Sequence, residues 1–517
     1  MPRFRVLAAV VAAVLMTTGC TLGSPGPTPN PSQATRPQPQ TALPADETTV
    51  LPATGGAELA LLTSQALFVR APAVVLAGDG DEASLTDATS TAANLGVPVL
   101  LTPGSDTALT AAITTELTRL GTTTLVTVGS AAAQWAGGGA GTSASATPAS
   151  TSPKGMVVVA LTGDGAALPD LTPARPLTDL LVLALDQAAS RAAVATARAA
   201  GARVQLVHDP DPRADDKVIS ALAGQSTTRV LALGSSFGPA PRLRQRVNTA
   251  ATGVLLPGGG QVVFPGRRMV ALYGHPGDSV LGVLGEQPLS AAITRAKNVA
   301  ASYSSLVDEP VVPTFEIITT VASASAGSDG DYSLETPVER LRPWVDAARA
   351  AGMYVMLDLQ PGRTDFLTQA KRYAELLKLP NVGLALDPEW RLKPNQVHMV
   401  QIGSVTADEI NATSEWLAEL TRVNKLPQKV LMLHQFRLDM IVNRSSVNTS
   451  HDELSIIIHA DGFGTPSEKF NTWRAMHVNP PANISWGWKN FYDEDQPTFT
   501  PRQTVAISPS PVFVSYQ

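Results

Sequence analysis

The 517-residue chain has a single cysteine, Cys20. One thiol can form neither an internal disulfide framework nor a cysteine-based zinc site. Charged residues are only 16% of the chain, and Lys and Arg number 38 against 44 Asp and Glu, a net charge of -6. Without surplus cations to neutralise phosphates, nucleic acid is not an expected partner. No run of about 18 apolar residues occurs, so no spanning helix is expected. Gly258-Gly259-Gly260 is followed by neither a helical pattern nor a Lys-Ser/Thr pair. It reads as a loop rather than a phosphate cradle, and no cofactor is expected. What the chain does have is an apolar fraction of 44%, enough for packed cores, and a length that fits about three domains or two large ones.

The N-terminus carries Arg3 and Arg5, then an apolar run from Val6 to Met16. That run is about half of the roughly 20 residues a bilayer span needs, and it reads as a secretory signal. Thr17-Thr18-Gly19-Cys20 resembles a bacterial lipoprotein cleavage box, with Thr17 where that pattern prefers Leu. The resemblance implies that residues 1–20 end at a lipidated Cys20. Acyl chains would then hold the protein on the extracytoplasmic side of the cell membrane. Residues 21–55, rich in Pro, Thr and Ser, read as a disordered spacer.

From residue 56 to 262, apolar β-branched runs alternate with Ala-rich helical stretches. The runs are Ala73–Ala77, Val97–Leu101, Thr124–Val128, Met156–Leu161, Leu180–Leu185, Val204–Val207 and Arg229–Leu233. This pattern predicts an α/β domain with parallel sheet. There is an internal repeat: Leu125-Val-Thr-Val-Gly-Ser130 matches Val230-Leu-Ala-Leu-Gly-Ser235, about 105 residues on, with a Gly/Ser/Thr/Ala loop at 137–152 between the copies. Val75-Leu-Ala-Gly-Asp-Gly80, Gly96-Val-Pro-Val-Leu-Leu-Thr102 and Val126-Thr-Val-Gly129 resemble the type 2 cell-wall-binding repeat of Gram-positive surface proteins. That resemblance implies cell-wall polysaccharide or peptidoglycan as partner.

Residues 263–517 contain eight strand-like runs, Met269–Tyr273, Thr314–Thr319, Tyr354–Leu359, Val382–Leu386, Val430–Leu433, Leu454–Ile458, Ile484–Trp488 and Val512–Tyr516; helical patterns separate most of them, the arithmetic of a (β/α)8, or TIM, barrel. The stretch Asp493 to Ser510 lacks a clear helix, which leaves a seven-stranded or broken barrel open. In a TIM barrel, chemistry sits at the C-terminal strand ends. Polar residues fall there: His275, Asp358, Asp387 with Glu389 and Trp390, His434 with Gln435, His459 with Asp461, and Trp488, Lys489 and Tyr492. In a strand, Asp387 and Glu389 share a face, as do His459 and Asp461. Close carboxyl groups raise one another's pKa, and a raised carboxyl can protonate a glycosidic oxygen. Asp387-Pro388-Glu389 resembles the Asp-x-Glu end of the signature in chitinase-type glycoside hydrolases and related muramidases. That likeness implies Glu389 as acid and Asp387 as its electrostatic partner; Ala385 and Val382 stand where the fuller signature has Asp.

The expected catalytic set is Glu389, Asp387, Asp358, Asp461, His459 and His434; His275, Gln435, Trp390, Trp488 and Tyr492 would contact substrate. No resident metal is assigned. Two alternatives remain open: a degenerate barrel that only binds glycan, and a metal-dependent hydrolase using His275, His434, His459, Asp358 and Asp461.

Overall fold

A computed structural model describes residues 36–137, 155–161, 167–224 and 228–517. Cys20 with the run before it, and residues 138–152 of the predicted loop, lie outside the described residues. Among the described residues no helix is long and apolar enough to cross a membrane.

The N-terminal half holds two four-stranded parallel sheets. The first runs in the order Val99–Leu101, Ala73–Ala77, Thr124–Val128, Val157–Leu161. The second runs Arg203–Val207, Leu180–Leu185, Arg229–Leu233, Thr48–Leu51. Three strands of each sheet thus correspond in sequence order and in place. The fourth differs: in the second sheet it comes from upstream of the first. Thr48–Leu51 lies in the stretch read as spacer, so the folded chain begins earlier than expected. Composition averaged over that stretch hides a four-residue β-branched run that can add to a sheet edge. The helices Gly56–Leu67 and Arg191–Ala199 pack between the sheets. There the Thr196 hydroxyl receives a 3.0 Å hydrogen bond from the Val99 N–H of the first sheet.

The second half is a closed barrel of eight parallel strands. They are Arg268–Gly274, Val311–Ala322, Tyr354–Leu359, Val382–Leu386, Lys429–Gln435, Leu454–Ala460, Ser485–Asn490 and Phe513–Tyr516, the first pairing with both the second and the eighth. All eight expected strands are present. The last connection does contain a helix, Pro501–Val505, begun by a capping box of Thr500 and Gln503. Five residues are too few to show apolar periodicity, which hid it in the sequence.

Alternation sorts each strand's side chains. Val355, Leu357 and Leu359 face the helices with Leu431 and Leu433. Tyr354, Met356, Val430, Met432, Ile457 and Phe513 fill the lower interior together with Leu256, Val263 and Phe264 from the incoming linker. The Gly258–Gly260 loop wraps the Arg267 guanidinium, which donates to the carbonyls of Pro257, Gly259, Val262 and Val263. A second anchor joins the halves. Asp452 of the barrel accepts from Arg213 at 3.0 Å and from Arg246 at 2.8 Å, and Arg213 also pairs with Asp211 at 2.8 Å.

Candidate active site

The apolar filling stops about halfway up the barrel. Above it the same inward positions turn polar. Tyr273, Asp358, His434, His459, Lys489 and Ser515 stand near the C-terminal ends of their strands, and Asp387 and Asp461 directly follow theirs. Glu316 lies mid-strand in the long second strand, level with Tyr273 in register. A layer this polar survives only if its members pair with one another, because an unpaired buried polar group costs several kcal/mol.

His434 is the hub. Its Nε2 lies 2.8 Å from Glu316 Oε1 and 3.7 Å from Asp358 Oδ1, and its Nδ1 lies 3.1 Å from Asp461 Oδ2. Asp358 accepts a 3.1 Å bond from the Tyr273 hydroxyl, which receives one from Gln360 at 3.3 Å. Lys489 places its amino group 3.6 Å from the centre of the Tyr273 ring, a cation–π contact. His459 sits beside His434, ring centroids 5.0 Å apart, with Nε2 3.2 Å from the Ser515 hydroxyl. Room for His459 is made by Gly487 on the next strand: a Cβ there would lie 2.4 Å from His459 Cδ2.

Burial and charge drive the carboxyl groups apart. Burial pushes the Asp358 carboxyl up to about 6, with His434 opposing and Glu316 adding. Burial, then the Asp461 charge, raises Glu389 to about 7. Burial and neighbouring Glu389 hold Asp387 well above the ordinary carboxylate range. Asp461 goes the other way: burial opposes ionisation, but the hydrogen bond and charge of His434 lower it. Burial disfavours the His434 imidazolium too, yet its bonds to Asp461 and Glu316 outweigh this and raise its pKa well above the usual value. Burial and the His434 charge keep His459 neutral. At neutral pH the layer therefore holds protonated and ionised carboxyl groups side by side, the arrangement acid–base chemistry requires.

Of the expected catalytic residues, Asp358, Asp387, Asp461, His434 and His459 all enter this interior. Glu389 joins them by another route than strand alternation. The strand ends at Leu386, and a turn of 3-10 helix, Pro388–Trp390, lifts Glu389 to the half-buried rim. The expected substrate contacts mostly go elsewhere. Trp488 is 1% exposed and packs on the helix side against Phe470, Trp473 and Phe499. Tyr492 stacks on Tyr516 under Arg295 on the barrel's outer wall. Gln435 points outward, binding the Arg437 carbonyl and the Arg444 guanidinium. His275 bonds Thr336 at 3.0 Å, and no hydrogen bond or ion pair among the described residues links it to the cluster. Trp390 lies half-buried against His398. The sequence reading also omitted Glu316, Tyr273 and Ser515. Tyr273 and Ser515 do sit at predicted strand ends; Glu316 gave no signal, because its strand runs well past it.

Of the alternative metal ligands, His434, His459, Asp358 and Asp461 share the interior without their ligand atoms gathering around one point, and His275 stands apart. Both His434 nitrogens face carboxylates, and His459 and His275 bond hydroxyls. Among the described residues, the grouping whose ligand atoms lie within 4.8 Å of one another is Asp329, Asp331 and Glu335, away from this layer. Compared with known proteins, the chain matches no family model, no curated protein and no solved structure.

Proposed function

We propose that the barrel is a glycoside hydrolase whose acid is Glu389 and whose ionised counter-carboxylate is Asp461. One observation carries this reading: a half-buried carboxyl, pushed up to about 7 by burial and by the charge of Asp461, stands at the mouth, and His434 keeps Asp461 itself ionised. The proton of Glu389 passes to the glycosidic oxygen as the bond to the anomeric carbon breaks. The Asp461 carboxylate supports the positive charge that develops there; a water molecule then adds to the anomeric carbon and gives up a proton that restores Glu389. His434, held between Glu316 and Asp461, fixes the charge state of the layer.

The lipoprotein-like box at Cys20 tethers the chain outside the membrane, and the paired N-terminal sheets serve as a wall-binding module. Cell-wall glycan is then the substrate within reach. The test is release of reducing ends from purified wall glycan. Glu389→Gln should lower the rate by about 10²–10⁴-fold while the fold persists; wild-type protein that releases none removes the hydrolase reading. A specific observation favours the second reading, a barrel that binds glycan without cutting it: the interior carboxyl groups are almost closed off, with Asp461 only 7% and Asp387 2% exposed. Glycan binding without product by wild-type protein supports that alternative.

A further inference from the structure

The barrel gathers exposed apolar side chains at one end. Val280, Leu334, Met399, Val400 and Phe463 are each more than half exposed. They stand on the connections that follow the first, second, fourth and sixth strands, so all lie at the C-terminal face, around the mouth. The opposite end carries Asp452 and the junction with the N-terminal half.

The connection after the fourth strand holds its apolar pair outward. His398 is turned in: its Nε2 lies 2.9 Å from the Tyr332 carbonyl, and its ring meets Trp390 with centroids 5.4 Å apart. The Gln396 carbonyl accepts a 2.9 Å bond from Arg363, and the Gly403 N–H donates to the Glu389 carbonyl at 2.7 Å. Between these fixed points Met399 takes φ +64°, in the left-handed region that glycine and asparagine favour. Met399 is 89% exposed and Val400 73%. A strained, pinned loop tip that turns two apolar side chains to solvent points to a partner that covers them.

The side chains project from separate connections and leave one another exposed. A protein partner would need a fitted hollow for each, whereas the acyl boundary of a bilayer accepts any shape. The chain also bounds how far the bilayer can be. From Cys20 to Arg36, about sixteen residues on, it reaches at most about 55 Å, and a half of this size is about 45 Å across. A tether that short keeps the folded chain at the bilayer, yet is long enough for the barrel to turn its mouth to it. Exposed charges at this end are mostly acidic, Asp329, Asp493 and Glu494 against Lys393, with Arg437 paired to Asp439. Apolar entry, rather than attraction to an anionic surface, must then carry the contact.

We infer that the C-terminal face of the barrel docks on a lipid bilayer, with Met399 and Val400 entering the boundary between headgroups and acyl chains. The inference rests on the tethered reading above and not on cleavage.

The test exposes the full chain to hydrogen peroxide with and without phosphatidylcholine vesicles and follows Met399 sulfoxide by mass spectrometry. Vesicles should slow Met399 oxidation about tenfold or more. Met399→Asn with Val400→Asn removes the apolar chains and keeps a residue that accepts the left-handed turn. In a Cys20→Ser background, which cannot be acylated, that double variant should bind vesicles about tenfold more weakly, at about 0.1 M and about 1 M salt alike. Val423→Asn, at the opposite end, should leave binding unchanged. Met399 oxidation as fast with vesicles as without overturns the inference. So does vesicle binding that is lost at high salt, since charge would then carry it, and so does a dimer that shields Met399 without vesicles, since a second copy would then be the occupant. An unacylated Cys20 in the chain from its native membrane, with Met399 shielded on vesicles, would remove the tether and leave the docking; an acylated Cys20 with Met399 unshielded would do the reverse.

Discussion

Replacing Asp358 by Asn should make the barrel more stable at alkaline pH and remove part of its pH dependence. Asp358 is fully buried, and its pKa stands at about 6 against an ordinary 3.8. Between those values the folded chain holds a proton that the unfolded chain has already released. Stability from this group is therefore complete below about pH 4, falls as pH rises, and is gone above about pH 6. A shift of about two units corresponds to about 3 kcal/mol. His434, whose pKa is also raised, adds loss in the same direction, whereas neutral His459 opposes it at acid pH. The Asp358 charge also helps to raise His434, so the variant loses part of the His434 contribution as well, which moves the difference in the same direction. The Asn side chain still accepts the Tyr273 hydrogen bond. Urea unfolding followed by tryptophan fluorescence at about pH 4 and pH 8 measures the effect. The variant should gain about 3 kcal/mol on wild type between the two pH values. An unchanged difference, or one of opposite sign, would refute the charge assignment of the layer.

Four further outcomes follow from the geometry. With active protein, turnover should decline as pH rises through about 7, where Glu389 loses its proton, and Glu389→Gln should abolish that alkaline limb in a rate-against-pH profile. Gly487→Ala drives a Cβ to 2.4 Å from His459 Cδ2; it should destabilise by about 1–3 kcal/mol in thermal unfolding, the range for overpacked interiors. Asp452→Ala leaves Arg213 and Arg246 without their partner in the barrel. Because both guanidinium groups keep Asp211 as a partner, this should cost about 1.5–3 kcal/mol and separate the unfolding of the two halves into distinct calorimetric transitions. Trp488→Ala should lower stability by about 3–5 kcal/mol, with glycan affinity of the folded protein unchanged, because the indole packs on the helix side.

The strands were legible because each carries a continuous or alternating apolar run bounded by turns. Tyr354–Leu359 and Val382–Leu386 match the expected limits at both ends. A barrel that buries both faces of its strands leaves that mark in the chain. Polar residues at strand ends were equally visible, and five of the six expected catalytic residues point inward by alternation, the rule that singled out the layer. Local sequence could not show which aromatic rings share that interior. Trp488 and Lys489 are neighbours in the chain, yet the pleat sends one under the helices and the other to the centre.

Nor could local sequence find Glu316, whose role depends on a histidine more than a hundred residues away. The upstream strand Thr48–Leu51 is the same case at the scale of a sheet: four residues carry too weak a pattern until Arg229–Leu233 offers them an edge. By itself the sequence determined the periodicities, and through them the parallel sheets and the closed ring. Only tertiary packing decided the charge states within the ring, because a carboxyl's pKa depends on which distant groups burial brings within a few ångströms of it.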